Sequence, residues 1–527
     1  MELHGKNLIG WTKSALGGHS IRGYDPKAGH DLGPAYAEAT AEEIHWAGEL
    51  AAGAFTEYRT ATAEQVAAFL EAIATNILDL GDGLIERASQ ESGLPKDRIT
   101  GERGRTVGQL RMFAALVLEG SWVDARIDPA LPDRKPLPRP DLRRMLIPIG
   151  PVAIWGASNF PLAFSVAGGD TASAFAARNP VVFKAHPAHP GASEMVGRAI
   201  VEAARACGFP EGTFSLLHGA KPETSLALVR HPAIQAGAFT GSLRAGRALF
   251  DAASQRTAPI PFYAEMGSVN PVFVLPGALK EGGETIAQGL KNSVTLGVGQ
   301  FCTNPGVVAG LRGDGLDLMI TKLRSLVEAE PPGTMLYPGI LRAYQAGVGQ
   351  RRELPGVRST SASQATSEEH TEAGAVVFET DAESFQKHEI LRQELFGPST
   401  VVVSAGTPTE LEEIARNMEG SLTATVHATA EDLSEYRGLI SLLATKVGRL
   451  LFNGYPTGVE VSPAMNHGGP YPATADPKFT SVGTAAICRF VRPICYQNAP
   501  PEVLPPELLD GNPLGIWRMF DGTLGKA

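Results

Sequence analysis

A chain of 527 residues is too long for one hydrophobic core and predicts two or three domains. With 43% hydrophobic and 19% charged residues, it has the composition of a soluble globular protein and not of a disordered or fibrous one. Its 46 basic and 56 acidic side chains give a formal charge of -10, which disfavours nucleic acid as a partner.

The first residues, MELHGKNLIGW, lack a basic region followed by an apolar stretch, so no signal peptide is expected. Residues 40–125 read as helical. "TAEEIHWAGELAAGAFTEY" and "TAEQVAAFLEAIATNILDL" carry apolar residues at spacings of three and four, and each opens on a Thr suited to capping. "IDPALPDRKPLPRPDLRRM" is too proline-rich for helix and too polar for core, and reads as an extended arm or crossover. From Met145 to Gly169 no residue is charged, but interruptions by Pro148, Pro151, Pro161 and several glycines exclude a membrane span.

Beyond that point short apolar runs alternate with helical patterns: "LIPIGPVAIWG", "PVVFKAH", "FSLLHG", "AGAFTGS", "PVFVLP", then "GVVAGL", "GAVVFET", "STVVVSAG", "LTATVHA" and "GRLLFNG". That rhythm predicts two doubly wound α/β domains with a boundary near Glu265. "STSASQATSEEHTEAG" reads as an exposed loop.

The four cysteines, Cys207, Cys302, Cys488 and Cys495, show neither metal-ligand spacing nor a disulfide framework, as expected of a protein in a reducing cytoplasm. Cys302 lies in "GVGQFCTNPG", where glycines force a tight turn and amides and hydroxyls are close. By itself it reads as a buried structural cysteine well ahead of a nucleophile. His186 and His189, in "KAHPAHP", lack an i, i+4 geometry and a nearby acidic or thiol ligand, so no metal is expected.

Five stretches decide between the readings of Cys302. "ASNFPLAF" (157–164), "FTGSLRAG" (239–246), "AEMGSVNPVFV" (264–274), "GQFCTNPG" (299–306) and "RQELFGPSTVVV" (392–403) occur in the order and spacing of the aldehyde dehydrogenase superfamily, which the chain resembles over nearly its whole length. "KAHPAHPG", "GQFCTNPG" and "NGYPTGVEVSPAMNHGGP" look most like its bacterial 2,5-dioxopentanoate (α-ketoglutarate semialdehyde) dehydrogenase branch, and a fatty-aldehyde dehydrogenase of that branch is similar too.

The resemblance implies an aldehyde dehydrogenase-like fold. Its expected parts are a dinucleotide-binding domain (1–127 and 147–264), a catalytic domain (265–479), and an oligomerisation arm and tail (128–146 and 480–527) joining a homodimer or homotetramer. It implies Cys302 as nucleophile, Asn159 with the Cys302 backbone N–H as oxyanion donors, and Glu265 as the base that hydrolyses a thioester. It assigns Gly241 and Ser242 to the pyrophosphate, Lys184 to the adenosine ribose, and Glu394 and Phe396 to the nicotinamide ribose and ring.

Where NAD-preferring relatives carry a glutamate, this chain has Pro187. A barrier to a 2′-phosphate is thereby removed, so NADP is expected with NAD also accepted, and Lys221 is a candidate second cation. An acidic keto-aldehyde needs a distal guanidinium, for which Arg105 is the candidate, while Arg111, nearly two turns on, faces elsewhere. Phe160 and Phe164 would line the apolar wall, with Gly458 and Ala464 replacing bulkier aromatics. The expected reaction is oxidation of 2,5-dioxopentanoate to 2-oxoglutarate. A broad or fatty-aldehyde dehydrogenase is the alternative, and a non-catalytic protein keeping the fold is a further one.

Overall fold

The computed structural model describes residues 2–526. Two seven-stranded sheets, each covered by helices on both faces, make the two α/β bodies. In the first sheet the strands run in the order Phe262–Glu265, Ala236–Thr240, Val152–Trp155, Val181–Lys184 and Phe214–Leu217, all parallel. An N-terminal hairpin, Asn7–Ile9 and Thr12–Ser14, extends it antiparallel.

Every residue of Val152–Trp155, Val181–Lys184 and Phe214–Leu217 is buried, as continuous apolar runs in a doubly covered parallel sheet require. Alternation still sorts the side chains. Val152 and Ile154 pack on the face covered by helices such as Ala63–Asp79 and Lys96–Glu119, whereas Ala153 and Trp155 meet Ala41–Tyr58 and Leu243–Ser254. Thr40 and Thr62 begin their helices with full capping boxes, closed by Glu43 and Gln65.

The second sheet runs Arg358–Ser361, Val376–Asp381, Ser399–Ala405, Val307–Leu311, Val272–Val274, Ser421–His427 and Val447–Phe452, parallel except for its first strand. A third sheet joins distant segments in the order Val491–Gln497, Leu142–Pro148, Arg126–Asp128, Arg518–Phe520 and Thr523–Gly525.

"LIPIGPVAIWG" is therefore two strands in two sheets, not one. The chain turns at Gly150, whose φ of +124° is glycine territory. Two N-terminal hairpins were not expected, because strands of three residues and a polar pair containing Gly23 and Pro34 leave no alternating pattern. No helix among the described residues is long and apolar enough to cross a membrane.

Candidate active site

The carboxyl ends of the first sheet's parallel strands carry Lys184, Thr240 and Glu265, with Asn159 and Gly241 in the loops just beyond. Facing them are the loops that enter the second sheet, with Asn270 before Val272–Val274, Cys302 before Val307–Leu311, and Glu394 and Phe396 before Ser399–Ala405. The crevice between these two sets of ends is where open α/β sheets bind ligands.

Cys302 is partly exposed on a loop bent by three consecutive left-handed residues, Gly297, Val298 and Gly299. A side chain at Gly299 would come within 2.2 Å of the Gly397 carbonyl, so glycine there lets this loop pack on the one containing Phe396. Val298 at φ 57° is a β-branched residue in a strained region, costing about 1–3 kcal/mol.

Asn270 holds the loop from beneath. Its Nδ2 donates to the carbonyls of Cys302 (2.8 Å), Asn304 (2.9 Å) and Ser268 (3.2 Å). Its Oδ1 accepts from the hydroxyls of Ser268 (2.8 Å) and Thr423 (3.0 Å). The Cys302 backbone N–H has no partner among the described residues.

His467 Nε2 lies 3.6 Å from Cys302 Sγ and 3.4 Å from Glu265 Oε2. The His467 backbone N–H donates to the Thr480 hydroxyl (2.8 Å), and its carbonyl accepts from the Ser481 backbone N–H (2.9 Å). The Ser481 hydroxyl donates to Glu265 Oε1. Segment 473–475 pairs with Ala264–Met266 through Met266 N–H to Ala473 O and Ala475 N–H to Ala264 O, which fixes the end of the Glu265 strand. A cavity of about 20 Å³, bordered by Tyr263, Glu265, Thr480, Ser481 and Arg489, adjoins the carboxyl and has room for one water.

Burial sets the protonation of this trio. It pushes Glu265 up to about 8, opposed by the Ser481 hydroxyl. It pushes the Cys302 thiol up to about 12, helped by Glu265 and Glu394 and opposed by Arg105 and Arg449. It drives His467 down to about 3, with Arg449 and Arg105 adding to the effect. Burial therefore favours the uncharged form of all three groups.

Asn159 is buried beside the Cys302 loop, with Nδ2 donating to the Gln300 carbonyl (2.9 Å), which leaves its second N–H for a ligand. Phe160 meets Phe164 and Phe301 edge-on at 5.1 and 5.5 Å. Arg98 lies over Phe160 and Phe301 at 4.6 and 4.8 Å, within 3.8 Å of Glu102, and donates to the Asn159 carbonyl. Glu102 in turn accepts from the backbone N–H groups of Leu162 and Ala163.

Arg105 lies over Phe164 at 5.2 Å and Phe160 at 5.9 Å, and its Nη1 donates to the Val459 carbonyl (3.0 Å). Its Nε and Nη2 are buried with no partner. Arg111 points away and pairs with Glu71 on the surface. Gly458 and Ala464 are exposed.

In the cofactor cleft, Lys184 is 8% exposed and its ammonium forms no hydrogen bond or ion pair among the described residues. Burial pulls it down to about 8, with Glu38 opposing. Lys221 is half-exposed and pairs with Glu38 at 3.4 Å. Ser242 caps Leu243–Ser254 through the Ala245 N–H (3.4 Å), and Gly241 N–H donates to the Glu265 carbonyl (3.0 Å). That helix N-terminus is solvent-exposed. Glu394 is exposed to the cleft, its Oε1 accepting from the Ser268 N–H (3.2 Å), while Phe396 is half-buried. An orphaned buried cation and an open helix N-terminus fit a dinucleotide's ribose and phosphates.

His186 and His189 stack at 5.5 Å, and His189 is fully engaged by Ser193 and the Ala157 carbonyl. His45, Glu49 and His231 have metal-ligand proximity on the surface. His231 Nδ1 accepts from the Ala233 N–H (3.2 Å), which places the proton on Nε2, 3.0 Å from His45 Nδ1. The two rings thus form a hydrogen-bonded pair.

Sequence reasoning passed over His467, Asn270, Arg449 and Arg98. His467 and Asn270 lie inside stretches singled out above, and an Asn–His–Gly–Gly sequence in an otherwise apolar loop was the available signal. Arg449 lies near the start of a strand pattern and gives none.

Residues 11–328 match the aldehyde dehydrogenase family. The chain is 50% identical over 523 residues to alpha-ketoglutaric semialdehyde dehydrogenase 2 of Azospirillum brasilense, covering 99% of each. It is 45% identical over 524 residues to an alpha-ketoglutaric semialdehyde dehydrogenase of Acinetobacter baylyi, again covering 99% of each. In fold it is similar to lactaldehyde dehydrogenase from Escherichia coli, with a TM-score of 0.81 at 18% identity over 94% of this chain and 99% of that one. With its matched sequence, two facing α/β bodies and a cysteine at their crevice, the chain is a member of the aldehyde dehydrogenase family and an oxidoreductase.

Proposed function

We propose that the protein oxidises an aldehyde carrying a distal carboxylate, 2,5-dioxopentanoate foremost, to the acid, with NADP preferred and NAD also accepted. The observation that carries the substrate is the Nε–Nη2 edge of Arg105, two adjacent donor groups buried without a partner. That edge is the side-on fork that matches a carboxylate, and an unpaired buried donor is costly until a ligand satisfies it. The names of the two full-length relatives agree with it.

In this reading Cys302 Sγ adds to the aldehyde carbon, and the oxygen gathers charge between the Asn159 amide and the unpartnered Cys302 N–H. The thiol proton has a neutral imidazole 3.6 Å away in His467. When bound, a nicotinamide dinucleotide accepts the hydride that the tetrahedral adduct gives up. Glu265, deprotonated, then draws a proton from the water that cleaves the thioester, with the Ser481 hydroxyl holding Oε1 and Oε2, without a hydrogen-bond partner among the described residues, left to face that water. Lys184, Ser242 and the exposed turn after Gly241 would hold the dinucleotide. Pro187 removes the carboxylate that repels a 2′-phosphate, although Lys221 must leave Glu38 to help.

The aromatic wall of Phe160, Phe164 and Phe301, with the exposed Gly458 and Ala464 leaving space, favours a second reading as a medium-chain or fatty-aldehyde dehydrogenase. We assign the chain to the cytoplasm and to a homodimer or homotetramer. The edge strand Thr523–Gly525 and the exposed Leu514, Trp517, Phe520 and Leu524 suit strand exchange with a second copy.

The test crosses NADP and NAD with 2,5-dioxopentanoate, succinic semialdehyde and a medium-chain alkanal, following reduced cofactor, with Cys302→Ala as blank. Preference for the dicarbonyl acid is expected. Preference for the alkanal transfers the assignment to the second reading, and equal turnover by the blank removes Cys302 from the chemistry.

A further inference from the structure

Arg449, on the strand Val447–Phe452, enters the site from the opposite body to Arg105. Its Nη1 donates to the Gly458 carbonyl (3.0 Å) and its Nη2 to the Pro456 carbonyl (2.8 Å). The next carbonyl along, that of Val459, holds Arg105 Nη1. One short loop thus orients both guanidiniums, Arg449 spending both terminal nitrogens on it and Arg105 only Nη1. What remains is a matched set of interior donors: Nε and Nη2 on Arg105 and Nε alone on Arg449, all buried and unpaired. Neither guanidinium forms an ion pair among the described residues, whereas Arg98 has Glu102 beside it. Both are near enough to Cys302 to pull its thiol down and to His467 to suppress its protonation.

Two cations with no ion-pair contact in a buried site, Arg105 feeling Glu102 and Glu460 only from farther off, are costly unless an anionic ligand completes them. The number of free donor groups also says what kind of ligand. A carboxylate fills the two-nitrogen edge of Arg105, and one further oxygen fills the single N–H of Arg449. A simple semialdehyde acid has no such oxygen, but a 2-oxo acid has one on the adjacent carbon.

Resting on the reading that the substrate is an acidic aldehyde, we infer that Arg449 is a second specificity-determining residue, donating its Nε–H to a 2-oxo group while Arg105 holds the neighbouring carboxylate. The substrate class is then narrowed to 2-oxo acids ending in an aldehyde. All three donors are closed off from solvent in the structure, so the exposed loop around Gly458 is what such a substrate has to displace.

The test compares kcat/KM for 2,5-dioxopentanoate, 5-oxopentanoate and pentanal, which share one chain length and lose the ketone and then the carboxylate. It uses the wild type, Arg449→Met and Arg449→Lys, each checked for an unchanged unfolding midpoint. The wild type is expected to favour 2,5-dioxopentanoate over 5-oxopentanoate. In Arg449→Met the loss with 2,5-dioxopentanoate is expected to exceed that with the other two by about tenfold or more, the usual worth of a hydrogen bond from a charged donor. Equal losses on all three substrates would reduce Arg449 to a support of its loop. An unaltered ratio between the two acids, or none in the wild type, would overturn the inference outright. Wild-type indifference between 5-oxopentanoate and pentanal would instead sink the acidic-aldehyde reading. If Arg449→Met does not fold, Arg449→Lys, which keeps the charge but not the Nε–H, is read by the same ratio.

Discussion

The Asn270 support beneath the Cys302 loop is saturated with hydrogen bonds. Asn270 alone reaches three carbonyls and two hydroxyls, while the Cys302 backbone N–H has no partner among the described residues. At the far end of the site the pattern reverses, with three guanidinium nitrogens of Arg105 and Arg449 buried without partners. Saturated networks fix geometry, whereas unsatisfied donors wait for a ligand. The same inventory of hydrogen bonds therefore separates residues that position the chemistry from residues that choose what enters it.

The comparison breaks most visibly at Asn270. Asn270→Ala strands the Cys302 and Asn304 carbonyls and two hydroxyls in the interior, so stability should fall by about 3 kcal/mol or more. Displacing the nucleophile by even an ångström should lower kcat by about 100-fold. Urea unfolding and turnover on the same preparation check both. Asn270→Asp should not rescue it, since a carboxylate cannot donate.

Arg105→Leu should show the opposite signature. Removing unpaired buried donors should leave stability within about 1 kcal/mol of wild type or raise it, while kcat/KM for an acidic aldehyde drops by about 10- to 100-fold. Stability lost in step with activity would place Arg105 among the positioning residues instead.

The smallest expected effect sharpens the boundary between the two regions. Glu265 acts as a base only when deprotonated, and burial pushes it up to about 8. Where thioester hydrolysis limits turnover, kcat should therefore climb as pH rises through about 8 and fall away below it. Ser481 stabilises the carboxylate, so Ser481→Ala should move that midpoint upward by about one unit. Glu265→Gln should remove the ascending limb altogether.

Much of the fold was legible because its signals are local. Thr40 and Thr62 announced their helices within four residues, and the buried strands announced themselves as unbroken apolar runs. The break within "LIPIGPVAIWG" was not legible, because both halves are apolar and only their partners differ. In the site, Cys302, Glu265 and Asn159 could be named from motifs. The link through His467, 165 residues from Cys302, could not, because only the folded chain brings them together. Arg449 was hidden for the same reason, being one charge in a strand whose orientation depends on a loop carbonyl.

The neutral resting state of Cys302 has a consequence for durability. Peroxides and electrophiles attack thiolates, and a thiol held up to about 12 offers them almost none. Burial that favours the thiol form of Cys302 makes it a poorer target for oxidants than a thiolate would be, exchanging resting reactivity for durability.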